Sequence, residues 1–230
     1  ALVFGHRVDE HARLRLERQA DTESLRLVAE SPTAIDQPRP EDGRVRIARP
    51  RPEADRIGPK LGAAELVAAV PDLAEVADIQ ARSPARLPSP SLTPAHLVEV
   101  ARTIEDAFAA GFDGAVVVQG TDTIEESAFL LDVLVGGDKP VVVTGAMRGA
   151  DAPGADGPAN LLAAVRLAAA PAARGLGTLV VLNYDIHAAR FVQKSHTALP
   201  SAFSSPLTGV IGLVAEGQPH LYTRLARNPV

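Results

Sequence analysis

The pattern of apolar and polar residues from about residue 61 onward alternates between two kinds of segment. Three short runs rich in Val are typical of buried strands, at residues 113–119, 140–144 and 178–183. Three longer segments carry apolar residues at helical spacing, at residues 93–111, 124–135 and 158–170. This alternation predicts an α/β fold with an open, mostly parallel sheet flanked by helices, of the Rossmann-like type.

Further signals refine this prediction. The apolar pattern favours a helix over residues 61–70 and a strand over residues 75–80. Thr93 before Pro94 predicts a capped helix start, and Thr123 with Glu126 three residues later predicts a capping box. Right-handed crossovers place the carboxyl ends of neighbouring parallel strands on one sheet edge, where α/β proteins bind ligands.

The first 56 residues differ from the rest of the chain. They contain 11 Arg, no Lys and 11 acidic residues, and Pro is frequent in their second half. We expect this region to be an Arg- and Pro-rich arm that is poorly ordered or atypical, with a short helix possible over residues 8–30. Balanced charge of this kind usually marks a solvated surface and rarely a binding arm.

Composition limits the classes of function. A chain of 230 residues with 46% hydrophobic residues can bury one sizeable core. The net charge of −5 argues against a nucleic-acid partner and against an anionic membrane surface. The chain has no Cys and no apolar run of membrane-spanning length, so we expect a cytoplasmic protein that acts on a small molecule.

Candidate chemistry is concentrated after two of the predicted strands. The segment Gly120-Thr121-Asp122-Thr123 joins a strand to a helix, so its hydroxyls either cap that helix or supply a nucleophile. Lys194 follows the strand over 178–183 and is either a solvated surface group or the base that such a hydroxyl needs.

Other polar residues in this region are interpreted as structural. Asp151, Asp156 and Asn160 have the spacing of turn and N-cap residues. His187 and His196 are too few and too irregularly spaced to indicate a metal site, so no metal site is predicted.

Four segments in this order resemble the L-asparaginase family of amidohydrolases, in the large N-terminal domain: residues 119–126 (QGTDTIEE), 139–148 (KPVVVTGAMR), 156–161 (DGPANL) and 183–197. The resemblance implies that Thr121 and Asp122 are catalytic and that Lys194 completes their relay. It also implies substrate contacts at Gly120, at Ala146 and at Ser89, with Ser91 as the alternative to Ser89.

The resemblance further implies hydrolysis of L-asparagine, with L-glutamine as a second candidate substrate, through an acyl-enzyme without a cofactor, in a homodimer or homotetramer. Residues 57–210 would form the asparaginase-like domain, and residues 211–230 would begin an interdomain linker to a C-terminal domain absent from this chain. The family's Thr-Gly-Gly-Thr-Ile-Ala motif, which carries its usual nucleophile, does not occur. The sheet of such a chain would also lack its first strand. The alternative function is an inactive remnant that binds amino acids or pairs with other subunits.

Overall fold

The computed structural model describes residues 1–7 and 61–227. In this part of the chain the strands are β1 (Leu2–Arg7), β2 (Ala77–Arg82), β3 (Gly114–Val118), β4 (Val141–Thr144), β5 (Thr178–Leu182), β6 (Asp185–Ala188), β7 (Gln193–Lys194), β8 (Phe203–Ser204), β9 (Gly212–Ala215) and β10 (Gln218–Leu221). The α-helices are α1 (Ala63–Ala68), α2 (Pro94–Ala109), α3 (Ile124–Leu134) and α4 (Gly157–Ala169). None of these helices is long and apolar enough to cross a membrane.

Eight strands form one mixed sheet in the order β10-β9-β6-β5-β4-β3-β1-β2. The three Val-rich strands β3, β4 and β5 are parallel neighbours, which confirms the predicted α/β fold. The strands β6, β9 and β10 continue the sheet in antiparallel fashion, while β7 and β8 form a separate two-stranded ladder. The carboxyl ends of β3 and β4 therefore lie side by side at one sheet edge, as the crossover rule predicts.

The sheet is covered on both faces by apolar helices. On one face, Leu161 and Val165 of α4 belong to the same core as Val142 of β4. On the other face, Ile104 of α2 and Leu131 of α3 belong to a second core, which contains Val141 and Val143. Alternate residues of β4 thus enter opposite cores, which explains why the strand is continuously apolar.

The strand β1 corrects the expectation for the start of the chain. Residues 2–7 lie between β3 and β2 and pair antiparallel with both, so the sheet does not lack a strand at this position. Leu2, Val3 and Phe4 are buried, a local apolar run that the charged composition of residues 1–56 concealed. Because β1 is antiparallel to β3, its last residue points away from the carboxyl edge of β3. The helix expected over residues 8–30 lies outside the described residues.

The segment predicted to begin a linker is part of the domain as far as it is described. The strand β9 pairs with β6, and a turn at Glu216 and Gly217 leads into β10. Beyond β10, Arg227 Nη2 donates to the carbonyl oxygens of Asp132 and Val135 at 2.8 Å each. The segment after β10 is therefore held against the end of α3. The Asp132 carboxylate in turn accepts a hydrogen bond from the Thr178 backbone N–H of β5.

Burial of His187 makes stability depend on pH. This side chain of β6 is 1% exposed, with Nδ1 2.9 Å from Ser205 Oγ, and burial lowers its pKa from 6.5 to about 4. The folded state therefore binds fewer protons than the unfolded state between these values. Stability should fall as the pH drops from 6.5 through 4 and then level off, with a total loss of up to about 3 kcal/mol from this group.

Urea unfolding of the wild type and His187→Gln at several pH values between 7 and 4 tests this prediction. The variant should lose less stability than the wild type over this interval, because it lacks the titrating ring. Equal pH dependence in the two proteins would show that His187 is not responsible.

Candidate active site

The turn after β3 lies at the carboxyl edge of the sheet. A single 3-10 turn, Thr121–Thr123, leads directly into α3, so Thr121 and Asp122 lie at the amino end of this helix. The backbone N–H groups and the dipole of a helix start favour negative charge. The position therefore suits both a carboxylate and a hydroxyl oxygen that becomes anionic.

Lys194 of β7 contacts this turn through its side-chain amine. Its Nζ donates to Thr121 Oγ1 at 2.9 Å and to Asp122 Oδ1 at 2.7 Å. The Lys194 side chain is 11% exposed, whereas the Asp122 side chain is 54% exposed. The fold thus brings together the three residues predicted to form the relay, and the amine is largely shielded while the carboxylate remains accessible.

Ser89 lies directly behind the turn, within the 3-10 turn Ser89–Ser91. Its Oγ accepts a hydrogen bond from the Asp122 backbone N–H at 3.3 Å, and its side chain is enclosed, with the residue 3% exposed. A β-carbon added to Gly120 would lie 2.8 Å from Ser89 Oγ, closer than real contacts allow. Gly120 is therefore required by this close approach, while Ser91, the alternative to Ser89, is exposed.

Thr123 corrects the predicted capping box. As the residue before α3 it makes no side-chain cap, and the predicted pairing with Glu126 does not form. Its hydroxyl donates instead to the Ser89 carbonyl oxygen at 3.1 Å. Thr123 therefore joins the turn after β3 to the Ser89 turn, a tertiary contact that the local pattern does not encode.

The loop after β4 forms the neighbouring wall of the site. A β-carbon added to Gly145 would lie 3.2 Å from Thr121 Cγ2 and 2.5 Å from the Gln119 carbonyl oxygen. Only glycine permits this approach of the two turns. Ala146 follows immediately and is exposed at the same edge, next to the turn that carries Thr121.

Asp156 and Asn160 hold this loop in place, a role that sequence reasoning missed. The Asp156 carboxylate accepts from the backbone N–H groups of Met147 and Arg148 at 2.9 Å each, and makes no side-chain cap to α4. Asn160 Nδ2 donates to the Gly145 carbonyl oxygen at 2.9 Å. One signal was available in the sequence, since Asn160 lies among the apolar residues of a helix start.

Metal-binding geometry is not seen at this edge. Among residues 1–7 and 61–227, no group of three or more His, Asp or Glu side chains is arranged to hold a metal ion. His187 lies in the core beside Ser205, and His196 lies beyond the Lys194 ladder.

The sequence matches known proteins over most of its length. The family model "Asparaginase, N-terminal" matches residues 47–227. The chain belongs to the asparaginase family. It is 36% identical over 185 residues to an L-asparaginase of Bacillus licheniformis, an alignment that covers 80% of this chain and 58% of that protein. It is 37% identical over 164 residues to a glutaminase-asparaginase of Pseudomonas fluorescens, covering 71% and 45%.

A solved structure of the asparaginase family supports the same conclusion. A probable cytoplasmic L-asparaginase from Campylobacter jejuni matches with a TM-score of 0.70 and 38% identity, over 71% of this chain and 52% of that one. The chain therefore spans about half the length of the asparaginases that it matches.

The contact between Gly120 and Ser89 gives a direct test of this asparaginase-type site. Gly120→Ala should destabilise the fold by about 1–3 kcal/mol, because the new methyl group overlaps the Ser89 side chain. Since φ at Gly120 is −64°, the backbone itself tolerates alanine. Ser89→Gly in the same chain should recover part of the loss, and urea unfolding measures both changes.

Two control variants complete the cycle. Gly136→Ala should leave stability nearly unchanged, because a β-carbon there has no neighbour within 4 Å. Ser91→Gly should not relieve Gly120→Ala. Equal relief from the two serine variants would contradict the placement of Ser89 beside Gly120.

Proposed function

We propose that this chain hydrolyses the side-chain amide of L-asparagine to L-aspartate and ammonia, with Thr121 as the nucleophile. The observation that supports the proposal is the position of Lys194 Nζ between Thr121 Oγ1 and Asp122 Oδ1. A hydroxyl becomes an effective nucleophile when a base within hydrogen-bond reach accepts its proton. Lys194 is that base in the proposed reaction, and the Asp122 carboxylate orients it.

In the first half of the reaction, Thr121 Oγ1 attacks the amide carbon of the substrate while its proton passes to Lys194. The C–N bond then breaks, and Lys194 returns the proton to the departing nitrogen, which leaves as ammonia. The product of this half is an aspartyl ester on Thr121. Charge on the tetrahedral oxygen develops at the amino end of α3, where the helix dipole is favourable.

In the second half, water attacks the ester carbon and gives a proton to Lys194. The bond between the acyl carbon and Thr121 Oγ1 breaks, and the proton returns to Thr121 as L-aspartate leaves. Protein, substrate and water account for every atom and proton, so the proposal includes no cofactor or metal ion.

The substrate contacts extend the proposal to the surrounding residues. The proposed contacts are Gly120, which precedes Thr121, Ala146, which follows Gly145, and Ser89, whose Oγ accepts from the Asp122 backbone N–H. L-glutamine is the second candidate substrate, because a related Pseudomonas protein is named a glutaminase-asparaginase. Assembly as a homodimer or homotetramer remains a prediction from the family resemblance, and a cytoplasmic location remains a prediction from the composition.

A second candidate function is an inactive domain that binds amino acids or pairs with other subunits. The observation that favours it is the lack of a Thr-Gly-Gly-Thr-Ile-Ala sequence among these 230 residues. In addition, β1 runs antiparallel to β3. The last residue of β1 therefore lies at the opposite edge of the sheet from Thr121.

Ammonia release from L-asparagine and L-glutamine distinguishes the two functions. The wild type should release ammonia, and Thr121→Ala should lower kcat by about a thousandfold or more, because no acyl-enzyme can form. Lys194→Met should have a comparable effect. Thr103→Ala, which removes an exposed hydroxyl that donates to the Glu99 carbonyl oxygen within α2, is the matched control and should retain wild-type activity.

Two outcomes would decide against the proposal. Turnover that survives in Thr121→Ala would show that another group is the nucleophile. A folded wild type that binds L-aspartate without releasing ammonia from either amide would favour the inactive domain.

A further inference from the structure

Glu125 makes a short contact with the backbone of the relay lysine. Its Oε2 accepts a hydrogen bond from the Lys194 backbone N–H at 2.6 Å, across 69 residues of sequence. A hydrogen bond to an ionised carboxylate is shorter and stronger than one between neutral groups. Glu125 therefore holds the main chain at residue 194 from a different element of the fold.

The contact is significant because Lys194 has little other regular structure around it. The ladder that contains it consists of two residues in β7 and two in β8, outside the main sheet. A two-stranded ladder of this length is unstable by itself. A hydrogen bond from a helix that is packed into the core adds a tertiary attachment to this short segment.

The same helix start carries both partners of the Lys194 side chain. Thr121 and Asp122 lie four and three residues before Glu125, and α3 is packed into the core through Ile124 and Leu131. Lys194 is thus held at two points, its backbone nitrogen by Glu125 and its Nζ by the turn. The distance between Lys194 Nζ and Thr121 Oγ1 is fixed by both attachments.

A simpler reading of Glu125 is that it stabilises α3 through the helix dipole, since it lies in the first turn. Its neighbour Glu126 lies in the same turn and is exposed, so it shares the dipole effect. Of these two glutamates, Glu125 is the one bonded to Lys194. A comparison of Glu125 and Glu126 variants therefore separates the dipole effect from the contact.

We propose that Glu125 is a positioning residue that holds the Lys194 backbone and thereby sets the reach of its amine to Thr121. The catalytic consequence rests on the proposed amidohydrolase function, whereas the contact itself does not. Glutamine at this position keeps a side-chain oxygen that accepts the same hydrogen bond without the charge, so it should retain most of the role.

Steady-state kinetics test the catalytic consequence. Glu125→Ala should lower kcat by about 10- to 100-fold with little change in KM, since a displacement of about 1 Å is enough for such a loss. Glu125→Gln should restore most of the activity, and Glu126→Ala should resemble the wild type. A loss in Glu126→Ala equal to that in Glu125→Ala, or no rescue by glutamine, would overturn the positioning role.

Hydrogen exchange at the Lys194 amide, measured by NMR, tests the contact without any need for turnover. The amide should exchange at least about tenfold faster in Glu125→Ala, equivalent to about 1.4 kcal/mol, while Glu125→Gln keeps most of the protection and Glu126→Ala keeps all of it. Unchanged exchange in Glu125→Ala would overturn the proposal even in an active enzyme. Faster exchange in a protein that releases no ammonia would uphold the contact and refute the proposed function alone.

Discussion

The hydrogen bonds from Lys194 Nζ to Thr121 and Asp122 join two segments that are 72 to 73 residues apart in sequence. Neither segment has reactive geometry by itself, because a hydroxyl at a helix start is ordinarily a cap and a lysine in a short ladder is ordinarily solvated. The parallel strands β3 and β4 and their helices supply the rigid frame between the two segments. The architecture thus converts two common local features into one candidate site.

Close approach of backbone segments is the second constraint on the site. The turn after β3 contacts the Ser89 turn on one side and the loop after β4 on the other, and both contacts require glycine, at Gly120 and Gly145. Polar side chains then lock these segments, through Thr123 towards Ser89 and through Asn160 towards Gly145. Shape and hydrogen bonding together leave Thr121 little freedom to move relative to its neighbours.

The apolar pattern was sufficient to predict the parallel strands and their helices, because burial on both faces leaves an unbroken Val-rich signal. It was insufficient for β1, because this six-residue strand belongs to a region of 56 residues that is rich in charged residues and Pro. It was also insufficient for β9 and β10, which lie in the segment predicted to begin a linker. The roles of Thr123 and Glu125 depend on partners 34 and 69 residues away in sequence, so no local rule reveals them. The relay itself was accessible only through the order of four family-like segments.

In the proposed reaction Thr121 carries the acyl group. This intermediate can be sought by mixing the protein with L-asparagine, quenching the mixture in acid within one turnover and mapping the peptides by mass spectrometry. The account predicts an aspartyl ester on Thr121 that is absent from Thr121→Ala. Ammonia release accompanied by an ester on a different residue, or by no ester at any quench time, would contradict it.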